Sequence, residues 1–248
     1  MRLIVTRPAA QARSWVDALR ALGLDAQALP LIDITALADP SPVHAAWQGL
    51  EGFSLIVFVS ANAVEQFFAA RPPAAAWPEG LVAGATGPGT TAALGAAGVA
   101  RVEAPATDAP QFDSEALWSR LASWSWTGRR VLVVRGEDGR DWLAEQLRAR
   151  GAEVSFVAAY RRRCPVLGAP AQGLLVAARA DPAQHLWIFS SSEALVHLQS
   201  LAPGADWSAA QAVASHPRIA EAARRAGFGR VELVAPDAQA LARHLRQT

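Results

Sequence analysis

The 248-residue sequence predicts an α/β protein built from two similar domains, each a doubly wound parallel sheet. Three observations lead there. A strand–helix–strand stretch occurs twice, a trio of strand–helix units also occurs twice, and the apolar runs alternate throughout with helical periodicity. Writing the first stretch as A and the trio as B, the chain reads A, B, A, B. Each A plus B supplies five strands joined by helices.

The first A runs Arg2-Leu3-Ile4-Val5-Thr6-Arg7-Pro8, then Trp15, Leu19, Gly23 and Ala26 to Leu29. The second runs Arg130 to Gly136, then Leu143, Leu147, Gly151 and Val154 to Val157. At a constant offset of 128, Arg7 falls on Arg135, Leu19 on Leu147, Arg20 on Arg148 and Gly23 on Gly151. Apolar residues at 15, 19 and 22 give the first helix its expected buried face, and the Gly after each helix can close it in a left-handed conformation. Such a βαβ unit cannot bury both faces alone, so each copy must join further strands.

The first B starts at the apolar strand Ser54 to Val59, which ends at Ser60-Ala61-Asn62 before a helix with Val64, Phe67 and Phe68. Leu81 to Ala85 is the next strand, followed by Thr86-Gly87-Pro88-Gly89-Thr90-Thr91 and a helix of small residues to Gly98. Arg101 to Pro105 is a third strand, and Asp113-Ser114-Glu115 caps the helix containing Leu117 and Leu121. In the second B, Val59 to Asn62 falls on Phe189 to Ser192, Pro88 to Gly98 on Pro217 to Gly227, and Arg101-Val102 on Arg230-Val231.

The repeat does not say which A pairs with which B. Proximity favours two consecutive domains. The alternative nests one domain in the other, with the chain crossing twice, near residues 31–38 and 160–171, and two crossings make a hinge.

Composition narrows the function. The only Cys is Cys164, and the five His are scattered, which argues against disulfides and clustered metal ligands. A net charge of +1 gives no reason to expect nucleic acid, and no window reads as a membrane span. All 23 basic residues are Arg, so Schiff-base chemistry through a lysine is excluded. The N-terminus goes straight into a strand without signal-peptide character, and a cytoplasmic protein is expected.

In open parallel sheets ligands sit beyond the carboxyl ends of the strands, where helix N-termini present free N–H groups and a positive dipole. Those ends carry Thr6-Arg7, Ser60 to Asn62, Thr86 to Thr91, Arg135 to Arg140, Ser190 to Ser192 and Ser215 to Arg218. The set suits carboxylate or phosphate. Each residue also has a plainer reading: the Ser and Thr as helix caps, Arg7 and Arg135 as salt-bridged surface residues, Arg161-Arg162-Arg163 as a solvated linker face. Tyr160, the only Tyr, reads equally as a residue packing a hinge or as one serving a site. Gly87-Pro88-Gly89 lacks the third glycine of a dinucleotide loop, and Gly136 to Gly139 carries two carboxylates and no Lys, so neither is a cofactor loop.

In this order and spacing, Thr6-Arg7-Pro8, Phe58 to Val64, Gly87-Pro88-Gly89-Thr90, Phe112 to Leu117, Val134 to Glu137 and Tyr160-Arg161-Arg162 resemble the uroporphyrinogen-III synthase family over nearly the whole chain. The resemblance implies the nested fold: two flavodoxin-like domains joined by a two-stranded linker, with the active site in the cleft. Residues 1–33 with 171–248 would form domain 1, residues 38–160 domain 2, and 34–37 with 161–170 the linkers. It implies closure of hydroxymethylbilane, a polycarboxylate, to uroporphyrinogen III with loss of water and inversion of the last pyrrole ring, in haem biosynthesis. It implies no cofactor and no metal, and a monomer that binds neither nucleic acid nor membrane. Tyr160 matches the family's cleft tyrosine, the residue that would serve the departing hydroxyl. Thr90 matches a cleft threonine of the inserted domain. The remaining expected substrate contacts are Arg7, Ser60, Asn62, Arg135, Ser191, Ser192, His216 and Arg218. Ser215-His216-Pro217-Arg218 departs from the Ser or Thr often carried by this loop, so the roles of His216 and Arg218 stay open. The competing reading is a non-catalytic, two-lobed binding protein for an anionic small molecule.

Overall fold

The computed structural model describes residues 1–109 and 111–247. Pro110 and Thr248, the latter the expected last residue of domain 1, lie outside the described residues. The chain divides into two compact units, Met1–Asp33 with Arg163–Thr248, and Ile34–Arg162.

The first βαβ stretch is β1 (Arg2–Val5), α1 (Ala9–Ala21) and β2 (Ala26–Ala28), and β3 (Asp33–Ala36) follows. The first trio comprises α2 (Ser41–Gln48), β4 (Leu55–Phe58), α3 (Ala61–Ala69), β5 (Val82–Ala85), α4 (Pro88–Ala96), β6 (Val102–Glu103) and α5 (Ser114–Leu121). The second βαβ stretch is β7 (Arg130–Gly136), α6 (Trp142–Ala149) and β8 (Glu153–Arg163). The chain ends with α7 (Ala169–Ala180), β9 (His185–Phe189), α8 (Ser192–Leu201), β10 (Gln211–Ala214), α9 (Pro217–Arg225), β11 (Arg230–Leu233) and α10 (Ala238–Gln247).

Local chemistry sets the helix ends. Gly23 (φ 81°) and Gly151 (φ 88°) adopt the left-handed conformation after α1 and α6. In both places the chain closes with the same pair of bonds. Leu24 N–H and Gly23 N–H donate to Leu19 and Arg20, while Ala152 N–H and Gly151 N–H donate to Leu147 and Arg148. Asp113 caps α5 by accepting from Ala116 N at 2.9 Å.

The first unit holds a five-stranded sheet in the order β11-β10-β9-β1-β2, with every pair parallel. The second holds a six-stranded sheet in the order β3-β8-β7-β4-β5-β6, in which β8 through β6 pair in parallel. Matching the repeats shows that both sheets have one spatial order, with the A pair beside the B trio. The first unit starts on its A strands and the second on its B strands, so the two are circular permutants of each other. In both, the winding reverses between the first strand of A and the first strand of B. That switch point lies between β1 and β9 in one unit and between β7 and β4 in the other.

Alternation along the central strands explains the double winding. Leu55 and Val57 of β4 pack with Leu117, Leu121, Leu143 and Leu147 from α5 and α6. Ile56 and Phe58 pack on the opposite face with Trp47, Val64, Phe67 and Leu94 from α2, α3 and α4. Trp47 stacks on Phe67 at 4.8 Å, and Phe58 meets Phe67 edge-on at 5.6 Å. Burying one such ring contributes about 1.5–3 kcal/mol relative to leaving it exposed.

One sequence expectation is corrected. The buried face of α1 is Ala12, Val16 and Leu19, so that of residues 15, 19 and 22 only Leu19 is fully inside. Both sets are helical stripes, but Trp15 turns to cover Arg7, its ring centre 4.4 Å from the guanidinium carbon. Arg161 to Arg163 are the last residues of strand β8, beyond its pairing with β7, with Arg161 and Arg162 half-buried and Arg163 exposed.

Candidate active site

Strand ends at the switch points gather the candidate residues. In the second unit, β4 delivers Ser60 and β8 delivers Tyr160. Although 100 residues apart, their hydroxyl oxygens lie 3.0 Å from each other. Ser60 also caps α3, its Oγ accepting from Ala63 N at 3.2 Å. Tyr160 is fully buried and packs within the core that contains Phe58 and Val134. It packs as a core residue while its hydroxyl is hydrogen-bonded to Ser60 at the strand end. Arg162 Nη2 donates to Tyr160 Oη at 3.0 Å, and the Arg162 guanidinium carbon lies 5.5 Å from the centre of the ring. Gly136 makes room for this, since a Cβ there would lie 3.2 Å from Tyr160 Cε2 and Cζ. A register irregularity between Arg135 and Gly136 re-aims the end of β7 at this spot.

Arg135 stacks over Phe156 at 4.1 Å and is ion-paired with Asp141, which matches its salt-bridged reading. The repeat-equivalent Arg7 differs. Among the described residues it forms no ion pair, its Nε is buried without a hydrogen-bond partner, and burial pushes its pKa down to about 10. A small half-open cavity brings Arg7 and Trp15 together with Ser190, Ser215, Val213 and Pro236. The cavity sets a half-buried guanidinium beside two strand-end serines, groups whose chemistry suits an anion.

The other candidates are distributed along the same strand ends. Ser191 caps α8 by accepting from Glu193 N at 3.2 Å, and Ser192 is the exposed first residue of that helix. His216 caps α9, its Nδ1 accepting from Arg218 N at 3.1 Å, while the Arg218 side chain is exposed. Thr90 is buried in the first turn of α4, and Asn62 lies half-buried in the first turn of α3. The strand-end threonines are engaged structurally: Thr6 Oγ1 donates to Ile188 O at 2.7 Å and Thr86 Oγ1 to Val59 O at 3.1 Å. Among the described residues, no group of three or more His, Cys, Asp or Glu could hold a metal ion.

Two residues in contact with these candidates escaped sequence reasoning. Arg162 stands two residues from Tyr160 on one strand, hence on the same face, a signal available only if the strand is extended through residue 163. Trp15 read as core because its helical spacing fits the core stripe as well as it fits an edge.

Two doubly wound units, circularly permuted copies of one design with one inserted in the other, and with anion-suited residues at both switch points, define a double flavodoxin-like protein. A family model described as uroporphyrinogen-III synthase HemD matches residues 13–243. The chain belongs to the uroporphyrinogen-III synthase family, cyclising lyases of haem biosynthesis.

The chain is 30% identical over 215 residues to the uroporphyrinogen-III synthase of Synechococcus elongatus, covering 84% of this chain and 78% of the relative. It is 32% identical over 163 residues to that of Salmonella typhimurium, a match spanning 65% of either chain. The crystal structure of the Helicobacter pylori enzyme superposes with a TM-score of 0.61 at 17% identity, covering both chains fully. A mutant of the Thermus thermophilus enzyme superposes with a TM-score of 0.60, also at 17% identity and with full coverage of both chains. These two structures share the fold.

Proposed function

We propose that the chain closes hydroxymethylbilane into uroporphyrinogen III, with loss of water and inversion of the last pyrrole ring. Within a chain of this family, the observation that carries the reading is the Tyr160 hydroxyl fixed between Ser60 and Arg162 at a switch point. The electron-rich pyrrole releases its hydroxyl readily, and the azafulvenium left behind can close by itself to the uninverted isomer. The protein's work is therefore orientation and charge placement more than strong acid or base. The linked hydroxyls of Tyr160 and Ser60 are the source of the proton that the departing hydroxyl takes up. Arg7, Asn62, Thr90, Arg135, Ser191, Ser192, His216 and Arg218, together with nearby helix N-termini, hold the substrate's carboxylates. The cavity beside Arg7, about 10 Å³, has room for roughly one water molecule, so it takes the tip of one carboxylate arm.

The proposal also has the chain working as a cytoplasmic monomer without a cofactor. In support, the helices of the second unit cover both faces of its own sheet. Among the described residues no helix is long and apolar enough to cross a membrane. Both relatives and both structures named above are uroporphyrinogen-III synthases, so the reading as a non-catalytic binding protein is set aside.

The test is to supply freshly made hydroxymethylbilane, oxidise the products and separate the uroporphyrin isomers. Isomer III should dominate with the chain present and isomer I without it. Isomer I alone in both would overturn the proposal.

A further inference from the structure

We infer that Ser60 is the group that hands the proton to the departing hydroxyl, and that Tyr160 acts behind it as a positioning residue that replenishes Ser60. This rests on the synthase reading above and names the acid within it. The argument is a count of hydrogens. Tyr160 Oη accepts from Arg162 Nη2 at 3.0 Å and lies 3.0 Å from Ser60 Oγ. If Ser60 were the donor across that contact, the Tyr160 O–H, fully buried, would have no acceptor among the described residues. A buried donor left unpaired is costly. Tyr160 is therefore the donor, and Ser60 Oγ is the acceptor. Ser60 Oγ already accepts from Ala63 N, so both of its lone pairs are occupied and its own hydrogen points away from both partners. Ser60 is half-buried, so of the two hydroxyls only its own reaches the surface at the switch point.

The chemistry then runs through three groups. As the substrate's C–O bond breaks, its electron pair leaves with oxygen and the pyrrole nitrogen supplies electrons to form the azafulvenium. The Ser60 hydrogen passes to the departing oxygen, giving water, while the Tyr160 proton passes to Ser60 Oγ. A phenol is a far stronger acid than an aliphatic alcohol, so the charge comes to rest on the phenolate, where Arg162 already donates. When the ring carbon that makes the last C–C bond loses its hydrogen as a proton, that proton restores Tyr160 through the same path. The net loss is one water.

The experiment compares initial rates of uroporphyrinogen III formation by the intact chain and five variants, each checked by thermal melting. Ser60→Ala and Tyr160→Phe should each lower kcat on the order of 10²-fold with KM changed no more than about threefold. The double variant should be no slower than the worse single one, as expected for residues acting as a unit. Ser60→Thr, which keeps the hydroxyl, should stay within a few-fold of the parent. Ser60→Asn, which keeps a capping acceptor without a transferable proton, should be as slow as Ser60→Ala. If Ser60→Ala or Ser60→Asn retains parental kcat while Tyr160→Phe alone is slow, Tyr160 reaches the substrate itself and the relay is wrong. Additive losses in the double variant would also overturn it. Formation of only the uninverted isomer by the parent chain would remove the synthase reading, and the relay with it.

Discussion

The guanidinium carbon of Arg7 lies 4.4 Å from the centre of the Trp15 ring, while Arg7 Nε is buried with no hydrogen-bond partner. A cation taken out of water and given only an aromatic face is under-compensated, and its pKa falls to about 10 as a result. The sign of the linkage follows. Between about 10 and the ordinary arginine value, the unfolded chain binds more protons than the folded one, so stability rises with pH there. Below about 10 the folded state carries the full cost. Arg7→Met should therefore stabilise the ligand-free protein at neutral pH by about 1–3 kcal/mol, while raising KM for hydroxymethylbilane. Denaturant unfolding and steady-state kinetics on one preparation check this. A destabilised variant with unchanged KM would mean that Arg7 is structural.

Gly136 and Tyr160 are packed so closely that a methyl group at 136 would lie 3.2 Å from two ring atoms. Gly136→Ala should push the ring and its hydroxyl off Ser60, costing about 1–3 kcal/mol of stability and slowing turnover as Tyr160→Phe does. Gly139→Ala is the control, because its methyl would lie 3.5 Å from Arg135 Cδ, an ordinary contact. Equal turnover in the two variants would show that Tyr160 position is immaterial.

Three buried tryptophans separate packing from hydrogen bonding. Trp47 Nε1 donates to Phe67 O and Trp126 Nε1 to Leu121 O, both at 2.9 Å, whereas Trp187 Nε1 has no partner. Replacement by Phe removes ring volume in every case. At 47 it also takes away the donor to Phe67 O, for a total cost of about 2–4 kcal/mol, and at 126 it removes one of two donors to Leu121 O, which keeps the Trp124 N–H at 3.0 Å, for about 1–3 kcal/mol, while at 187 it deletes an unsatisfied donor. Trp187→Phe should cost less than about 1 kcal/mol. Chemical denaturation of the three variants decides, and equal losses would contradict the account.

The repeats made most strands and many helix ends legible, since strand alternation, the closing glycines and caps such as Asp113 are local signals, whereas the pairing of the repeats into sheets is not written in them. What the sequence concealed depended on three-dimensional company. Arg7 and Arg135 occupy one repeat position, yet Arg135 has Asp141 as an ion-pair partner and Arg7 faces a cavity. Nothing in the local pattern distinguishes them. Tyr160 read equally as core or site because its ring packs in the core while its hydroxyl meets Ser60 at a strand end. Arg162 was hidden by a strand whose last residues are three arginines, a composition that reads as solvated loop until the pairing with β3 is seen.

Recognition through backbone N–H groups can be isolated at the start of α4. Pro88 occupies the first helical position and supplies no donor. Thr90 N and Thr91 N both bond back to Gly87 O at 3.0 Å. Gly89 is exposed, and its N–H has no acceptor among the described residues. A Cβ added there would meet nothing within 4 Å, so Gly89→Ala keeps the donor and fits. Gly89→Pro removes the donor at a first-turn position where proline is tolerated. If this N–H holds a substrate carboxylate at the positive end of the helix dipole, the Pro variant should raise KM by about 5- to 10-fold, the equivalent of losing about 1–1.4 kcal/mol. The Ala variant should match the parent, and both should melt near the parental temperature. Equal KM in the Pro and Ala variants would show that α4 binds no carboxylate through this donor, and would shift recognition in this unit to its side chains.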